Sequence, residues 1–230
     1  MNSFPENDIK PPKPSTIRRR DLANPSALGF GGFAATLMAL SLSGMGFRGV
    51  TNQSVFIANL CFLAGIGLLI SSQWEMVKGN TFGYTVLAAF GLYYGGYGVL
   101  ILPSMGILES YQGRTAEYHN AFGIYQLVWC ILNLFFFIAS LPTGGPNIFI
   151  YGALELSYIF NCIAHFVRAE GNVATSTSLM KVAGAFGFIS SLAGFYMLGH
   201  ELCQEILPFR IPVYNTSRLI DSRKSSDQDS

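Results

Sequence analysis

Six runs of about 20 mostly apolar residues decide what this chain can fold into. They lie at 26–46, 55–73, 81–102, 120–141, 147–167 and 177–199, with short polar gaps between them. A soluble core could hide one or two such runs, but not six in a chain of 230 residues. Hydrocarbon offers the backbone no partners, so each N–H and C=O must be met within its own segment. The expected class is therefore all-α, a polytopic membrane protein with six transmembrane helices. The breakers agree with these limits. Pro103 and Pro142 follow two of the runs, where helices commonly stop. Pro146 stands at the entrance of another, where its missing N–H does no harm.

The charge distribution supports the same reading. Only 12% of residues are charged, against about 25% in a soluble domain. The charges crowd into the two ends and a few gaps. Residues 1–23 and 208–230 read as polar tails flanking a membrane domain at 24–207. Net charge is +1, which leaves no basic field for nucleic acid. Cys61, Cys130, Cys162 and Cys203 form no C-x-x-C pair, and the histidines fall in different regions. No metal or cofactor is expected, and no hydrolase constellation is present, so the chain does not read as an enzyme. Six crossings put both tails on one side. With the tails inside, the inner segments hold Lys10, Lys13, Arg18, Arg19, Arg20, Lys78, Arg210, Arg218, Arg223 and Lys224. The outer ones hold Arg48, Arg114, Arg168 and Lys181. This excess favours cytoplasmic termini. The sequon Asn52-Gln53-Ser54 then falls outside, too near the membrane for glycosylation to be expected.

The entry to the first run, "ANPSALGFGGF", combines a breaker with glycine. Asn24 can cap a helix and Pro25 is preset for its first turn. The glycines allow close helix packing, or a pathway with exposed peptide N–H groups. Gly29-x-Gly31-x-x-Ala34 fits a dinucleotide fingerprint, but no strand precedes it and no strand–helix alternation follows.

This stretch resembles the N-P-A-P-L-G-L-x-G-F signature of the acetate uptake transporter family, through Asn24, Pro25, Leu28 and Gly29. Ala27 replaces the second proline. "WEMVKGNTFGYT", with Gly79, Asn80, Thr81, Phe82 and Gly83, is similar to that family's second block. "YYGGYGVLILPSMGI", "FGIYQLVW" and "AHF" follow in the family's order. The resemblance covers roughly residues 24–212. It implies six helices around a pathway within each protomer, protomers assembled as a hexamer, and a plasma-membrane location in a fungal cell. The implied cargo is acetate or a related short monocarboxylate, moved with a proton. It also implies a constriction at Phe33, Phe90 and Leu154, where Phe90 replaces the family's tyrosine and lacks its hydroxyl.

The residues themselves add candidates. Phe90, Tyr93, Tyr94 and Tyr97 fall along one broad stripe of the third helix. Their rings suit a methyl group and their hydroxyls an oxygen, or they form packed core. Leu154, Tyr158, Asn161 and His165 share a face of the fifth helix. Glu155 lies beside the expected constriction. An ionisable residue inside a span is a functional candidate. Glu155 could carry a proton, pair with a cation such as ammonium, or hydrogen-bond Asn133 or Gln126. His165 could sense acid or be a plain interfacial histidine. Gly91 and Gly95 form a G-x-x-x-G that favours tight contact. Two alternatives to carboxylate transport stay open: ammonium or ammonia export, with Glu155 as its reason, and a non-transporting sensor acting through its tails.

Overall fold

The computed structural model describes residues 23–204 and 211–213. The expected tails, with Arg18-Arg19-Arg20 and the serine-bearing end, lie outside the described residues apart from positions 23 and 211–213. Helix α1 runs Ser26–Gly44, α2 Ser54–Val77 and α3 Thr81–Leu100. A short α4, Ile107–Ser110, leads to α5, Thr115–Ser140. Then come α6, Gly145–Ala169, and α7, Val173–Cys203. No strand occurs among the described residues. Helices α1, α2, α5, α6 and α7 are each long and apolar enough to cross a membrane. The remaining crossing is α3, which meets that measure together with Pro103–Ser110, bent 70° from it. Five glycines and four tyrosines among its twenty residues dilute its hydropathy, because its inner face serves the interior rather than lipid.

The helices pack in the order α3–α2–α1–α7–α6–α5. Small residues set the tightest approaches, as they do where lipid supplies no hydrophobic drive. A methyl group on Gly91 would lie 2.9 Å from the Gly65 carbonyl oxygen, and one on Gly65 would lie 3.4 Å from the Gly95 Cα. The G-x-x-x-G of α3 thus faces the backbone of α2. Gly32 seats α1 on Leu63 and Leu68 of α2, and Gly184 seats α7 on the Ser41 carbonyl of α1. The seam between α3 and α5 is filled by rings instead. Tyr93 lies 4.7 Å from Trp129 and 6.0 Å from Tyr125 between centroids, and Tyr97 lies 6.1 Å from Phe122.

Three local features depart from expectation. Pro25, not Asn24, is the capping residue of α1. Asn24 stands one residue earlier, where its Oδ1 accepts from the Ser26 N–H at 3.2 Å. Helix α2 is not α-helical throughout, since Asn59–Ile66 is π-helical. Its wider turn falls where Gly65 meets Gly91 of α3. Helices α5 and α7 also begin before their apolar runs. The Asn172 side chain caps α7 by accepting from the Thr175 N–H at 3.1 Å, so polar residues form its first turn outside the apolar stretch.

Candidate permeation pathway

Six crossings place the start of α1, the end of α2, the start of α3 and the end of α7 on one face of the bundle, here the tail face. A cavity of about 550 Å³ opens from the opposite face into the middle of the ring. Helix α3 contributes Tyr93, Tyr94 and Tyr97, and α6 contributes Leu154, Tyr158, Asn161 and His165. The two helical stripes therefore face one space, because residues spaced by three and four positions share a face. The Tyr93 hydroxyl donates to Gln126 Oε1 at 3.3 Å. Tyr97 donates to Gln53 Oε1 at 2.8 Å, tying α3 to the loop before α2. Ser41, Thr51, Ser157 and Thr177 add further polar groups to the wall.

The cavity ends on an aromatic cluster. Phe33, Phe90 and Leu154 are all buried within one apolar core. The Phe33 and Phe90 rings lie 5.7 Å apart, and Tyr94 packs 6.5 Å from each. Phe90 also meets Phe136 edge-on at 5.7 Å and stacks on Tyr151 at 6.4 Å with the planes 7° apart. Phe82 meets the same tyrosine edge-on at 5.7 Å. Tyr151 thus lies beneath the constriction, one turn before Leu154. Its i−3 relation to Leu154 was the available signal in the sequence, but the resemblance drew attention only to Leu154.

Beyond the cluster a smaller cavity, about 150 Å³, lies toward the tail face. Ser26, Glu75, Asn80, Phe82, Asn147, Tyr151 and Glu201 are among its lining residues. Glu75 is 1% exposed. Its carboxylate accepts from Ser26 Oγ at 2.6 Å and from Asn80 Nδ2 at 2.7 Å, and Lys78 Nζ lies 4.0 Å away. Asn24 Nδ2 donates to Glu201 at 2.5 Å, joining the start of α1 to the end of α7. The two signature blocks therefore meet at this mouth. Gly79 takes a φ of 73°, in the left-handed region open to glycine, which turns the chain into α3. Asn80 then caps α3 by accepting from Gly83 N–H at 3.0 Å, and a side chain at Gly83 would collide with it. Thr81 is the first residue of α3. A methyl group on Gly29 would crowd Leu87 and Ser71, while Leu28 is exposed on the outside of the bundle.

Glu155 lines neither cavity. It turns to α5, where Oε2 accepts from Asn133 Nδ2 at 2.7 Å and Oε1 accepts from Cys130 Sγ at 3.0 Å. The hydrogen bond to Asn133 that the sequence offered is therefore formed. Among the described residues, the carboxylates that line the tail-face cavity are Glu75 and Glu201, which sequence reasoning did not single out. Glu75 was visible inside "WEMVKGN" as an acid at the end of an apolar run. Glu201 lay past the last run, where burial cannot be read from hydropathy. Among the described residues, no three His, Cys, Asp or Glu side chains are placed to hold a metal.

Two dead-end cavities meeting at an aromatic constriction inside a bundle of membrane-length helices define an integral membrane protein of the channel or transporter class. Residues 7–216 match the GPR1/FUN34/yaaH family, and the chain belongs to that family. It is 37% identical over 198 residues to the acetate transporter protein patA of Aspergillus clavatus, covering 86% of this chain and 80% of that one. It is 28% identical over 196 residues to the ammonia transport outward protein 2 of Saccharomyces cerevisiae, covering 83% and 67%. The structure of the bacterial acetate channel SatP superposes with a TM-score of 0.66 at 26% identity, covering 82% of this chain and 99% of that one.

Proposed function

We propose that this protein moves acetate or a related short monocarboxylate across the plasma membrane, with a proton, through a passage inside each protomer. The observation that carries this reading is the pair of cavities facing each other across Phe33, Phe90 and Leu154. The constriction is apolar, so it admits an acyl methyl and opposes a bare charge. Above it, the hydroxyls of Tyr94, Tyr97 and Tyr158 and the Asn161 amide can replace water around a carboxylate. Phe90 carries no hydroxyl, and Tyr94, one turn along α3, lies 6.5 Å from both constriction rings. The acetate transporters and the acetate channel among its relatives support this cargo.

The reading includes a membrane domain at 24–207, cytoplasmic tails at 1–23 and 208–230, and assembly as a homo-oligomer, a hexamer by the family resemblance. Apolar side chains exposed along α5, including Ile124, Val128, Ile131 and Phe135, suit lipid or a second copy. A second reading, ammonium or ammonia export, is favoured by Glu75 and Glu201 in the tail-face cavity and by the yeast relative. The test is uptake of labelled acetate at acidic external pH in fungal cells lacking other carriers. Expression of this protein should raise uptake. No gain in acetate uptake, together with alkalinisation of the medium, would replace the first reading by the second.

A further inference from the structure

Asn133 and Glu155 lie in the seam between α5 and α6, and neither lines a cavity. The pair nevertheless sits at the level of the constriction. Asn133 is 1% exposed, and its Nδ2 donates both to Glu155 Oε2 at 2.7 Å and to the Tyr151 carbonyl oxygen at 3.2 Å. Tyr151 is the residue whose ring stacks on Phe90. Phe136, one turn along α5 from Asn133, meets Phe90 edge-on. Leu154, the α6 member of the constriction, is the neighbour of Glu155. One amide thus joins the two helices within a turn of Phe136, Tyr151 and Leu154. Elsewhere the seam is packing. Gly123 lies against Phe166 and Gly152 against Phe137, where a methyl group would come within 2.7 Å and 3.1 Å of those rings. Thiols add weaker bonds, Cys130 Sγ to Glu155 Oε1 at 3.0 Å and Cys162 Sγ to the Gly123 carbonyl oxygen at 3.5 Å. Asn133 Oδ1 is buried without a partner among the described residues, a cost in stability that an apolar side chain would not carry.

We propose that Asn133 and Glu155 are positioning residues, a register pin that sets how closely Phe136 and Tyr151 close on Phe90 and thereby the largest acyl chain that passes. Apolar helix faces can meet at more than one register, whereas a buried polar pair fits one, as a lone Asn does in a coiled-coil seam. The next register of two packed helices lies a full turn away, about 5.4 Å, beyond the reach of either bond. Both N–H groups of the amide are committed, one to each acceptor, so it can neither turn nor slide without losing one. Hydrocarbon supplies no replacement partner for a bond that is lost. The pin holds in either protonation state of Glu155, since a carboxylic acid keeps an accepting oxygen. Its effect on cargo size rests on the proposed passage past Phe90; the pinning of α5 to α6 does not.

The double variant Asn133→Leu/Glu155→Met replaces the polar pair by apolar side chains, a change that often leaves stability intact. In proteoliposomes its butyrate-to-acetate uptake ratio should rise by roughly threefold or more, part of the discrimination that one or two methylenes can give. Glu155→Gln keeps the acceptor for Asn133 and should keep the wild-type ratio. Glu155→Met alone leaves Asn133 on the Tyr151 carbonyl and should move the ratio in the same direction by less. A second readout needs no transport. The chain has two tryptophans. Trp129 lies one turn before Asn133 on α5, its ring 4.7 Å from Tyr93, and Trp74 is exposed on α2. With 5-fluorotryptophan incorporated and the protein in nanodiscs, the Trp129 fluorine line should be displaced or split in the double variant, with the Trp74 line in place. Wild-type ratios in both the double variant and Glu155→Met would overturn the proposal. If the double variant does not fold, Glu155→Met decides alone. If the wild-type protein carries neither acid, the proposed function falls, and an undisplaced Trp129 line would then remove the pin while a displaced one would uphold it.

Discussion

A single methyl group tests the packing of this bundle at the residue scale. Gly32 is buried, and a Cβ there would sit 2.8 Å from the Leu63 carbonyl oxygen, which is backbone and cannot swing away. Gly32→Ala should therefore destabilise the protein by about 1–3 kcal/mol. Gly96 is exposed with nothing within 4 Å of such a methyl, so Gly96→Ala should gain up to about 1 kcal/mol of helix propensity. Thermal unfolding in nanodiscs should move in opposite directions for the two, and a shared direction would refute this account. Phe90 tests the passage instead. It is 2% exposed and touches Phe33, Tyr94, Phe136 and Tyr151. Phe90→Ala should cost about 3–5 kcal/mol and leave a gap joining the two cavities. Uptake of butyrate should rise relative to acetate, and an unchanged ratio would remove Phe90 from the constriction.

Elements were the most legible part of this chain, for a physical reason. A span has to be apolar over its whole length, so 55–73 or 147–167 announces itself, whereas the polar ends of helices do not. The start of α7 at Val173 was hidden in "EGNVATSTS", which carries no apolar period and is helical because Asn172 caps it. That cap makes a clean test, being exposed and lining neither cavity. Asn172→Ala should lower stability by about 1 kcal/mol with acetate uptake unchanged; a loss of flux would mean that α7 transmits strain to the passage. The π-helical turn of α2 was not legible, since it answers to Gly65 meeting Gly91 across helices. The stripe from Leu154 to His165 was legible because helical spacing alone puts its members on one face. Which way Glu155 turned was not, because one residue of offset decides between cavity and α5. Glu155→Gln should keep acetate uptake within about twofold, as the amide oxygen can still accept from Asn133; a collapse of uptake would return Glu155 to the pathway.

At the scale of the whole molecule the two mouths differ in sign. Arg168 lines the cavity on the face away from the tails, with no acid among its described lining residues. Glu75 and Glu201 line the tail-face cavity, and Lys78 reaches only 4.0 Å from Glu75. An anion is drawn to the first mouth and opposed at the second. It crosses most readily if it takes up a proton before the aromatic cluster, where an unpaired charge would be most costly. An ammonium ion meets the reverse gradient. Glu75→Gln preserves the size and the hydrogen-bond acceptor while removing one negative charge from the tail-face mouth. If the cargo is a carboxylate, acetate flux should rise by roughly fivefold, the effect of about 1 kcal/mol of relieved repulsion. If the cargo is ammonium, export should fall instead, because the charge that gathers the cation is gone. Parallel measurement of acetate uptake and methylammonium efflux in the same vesicles reads the sign directly, and an unchanged value for both would show that Lys78 already neutralises this mouth.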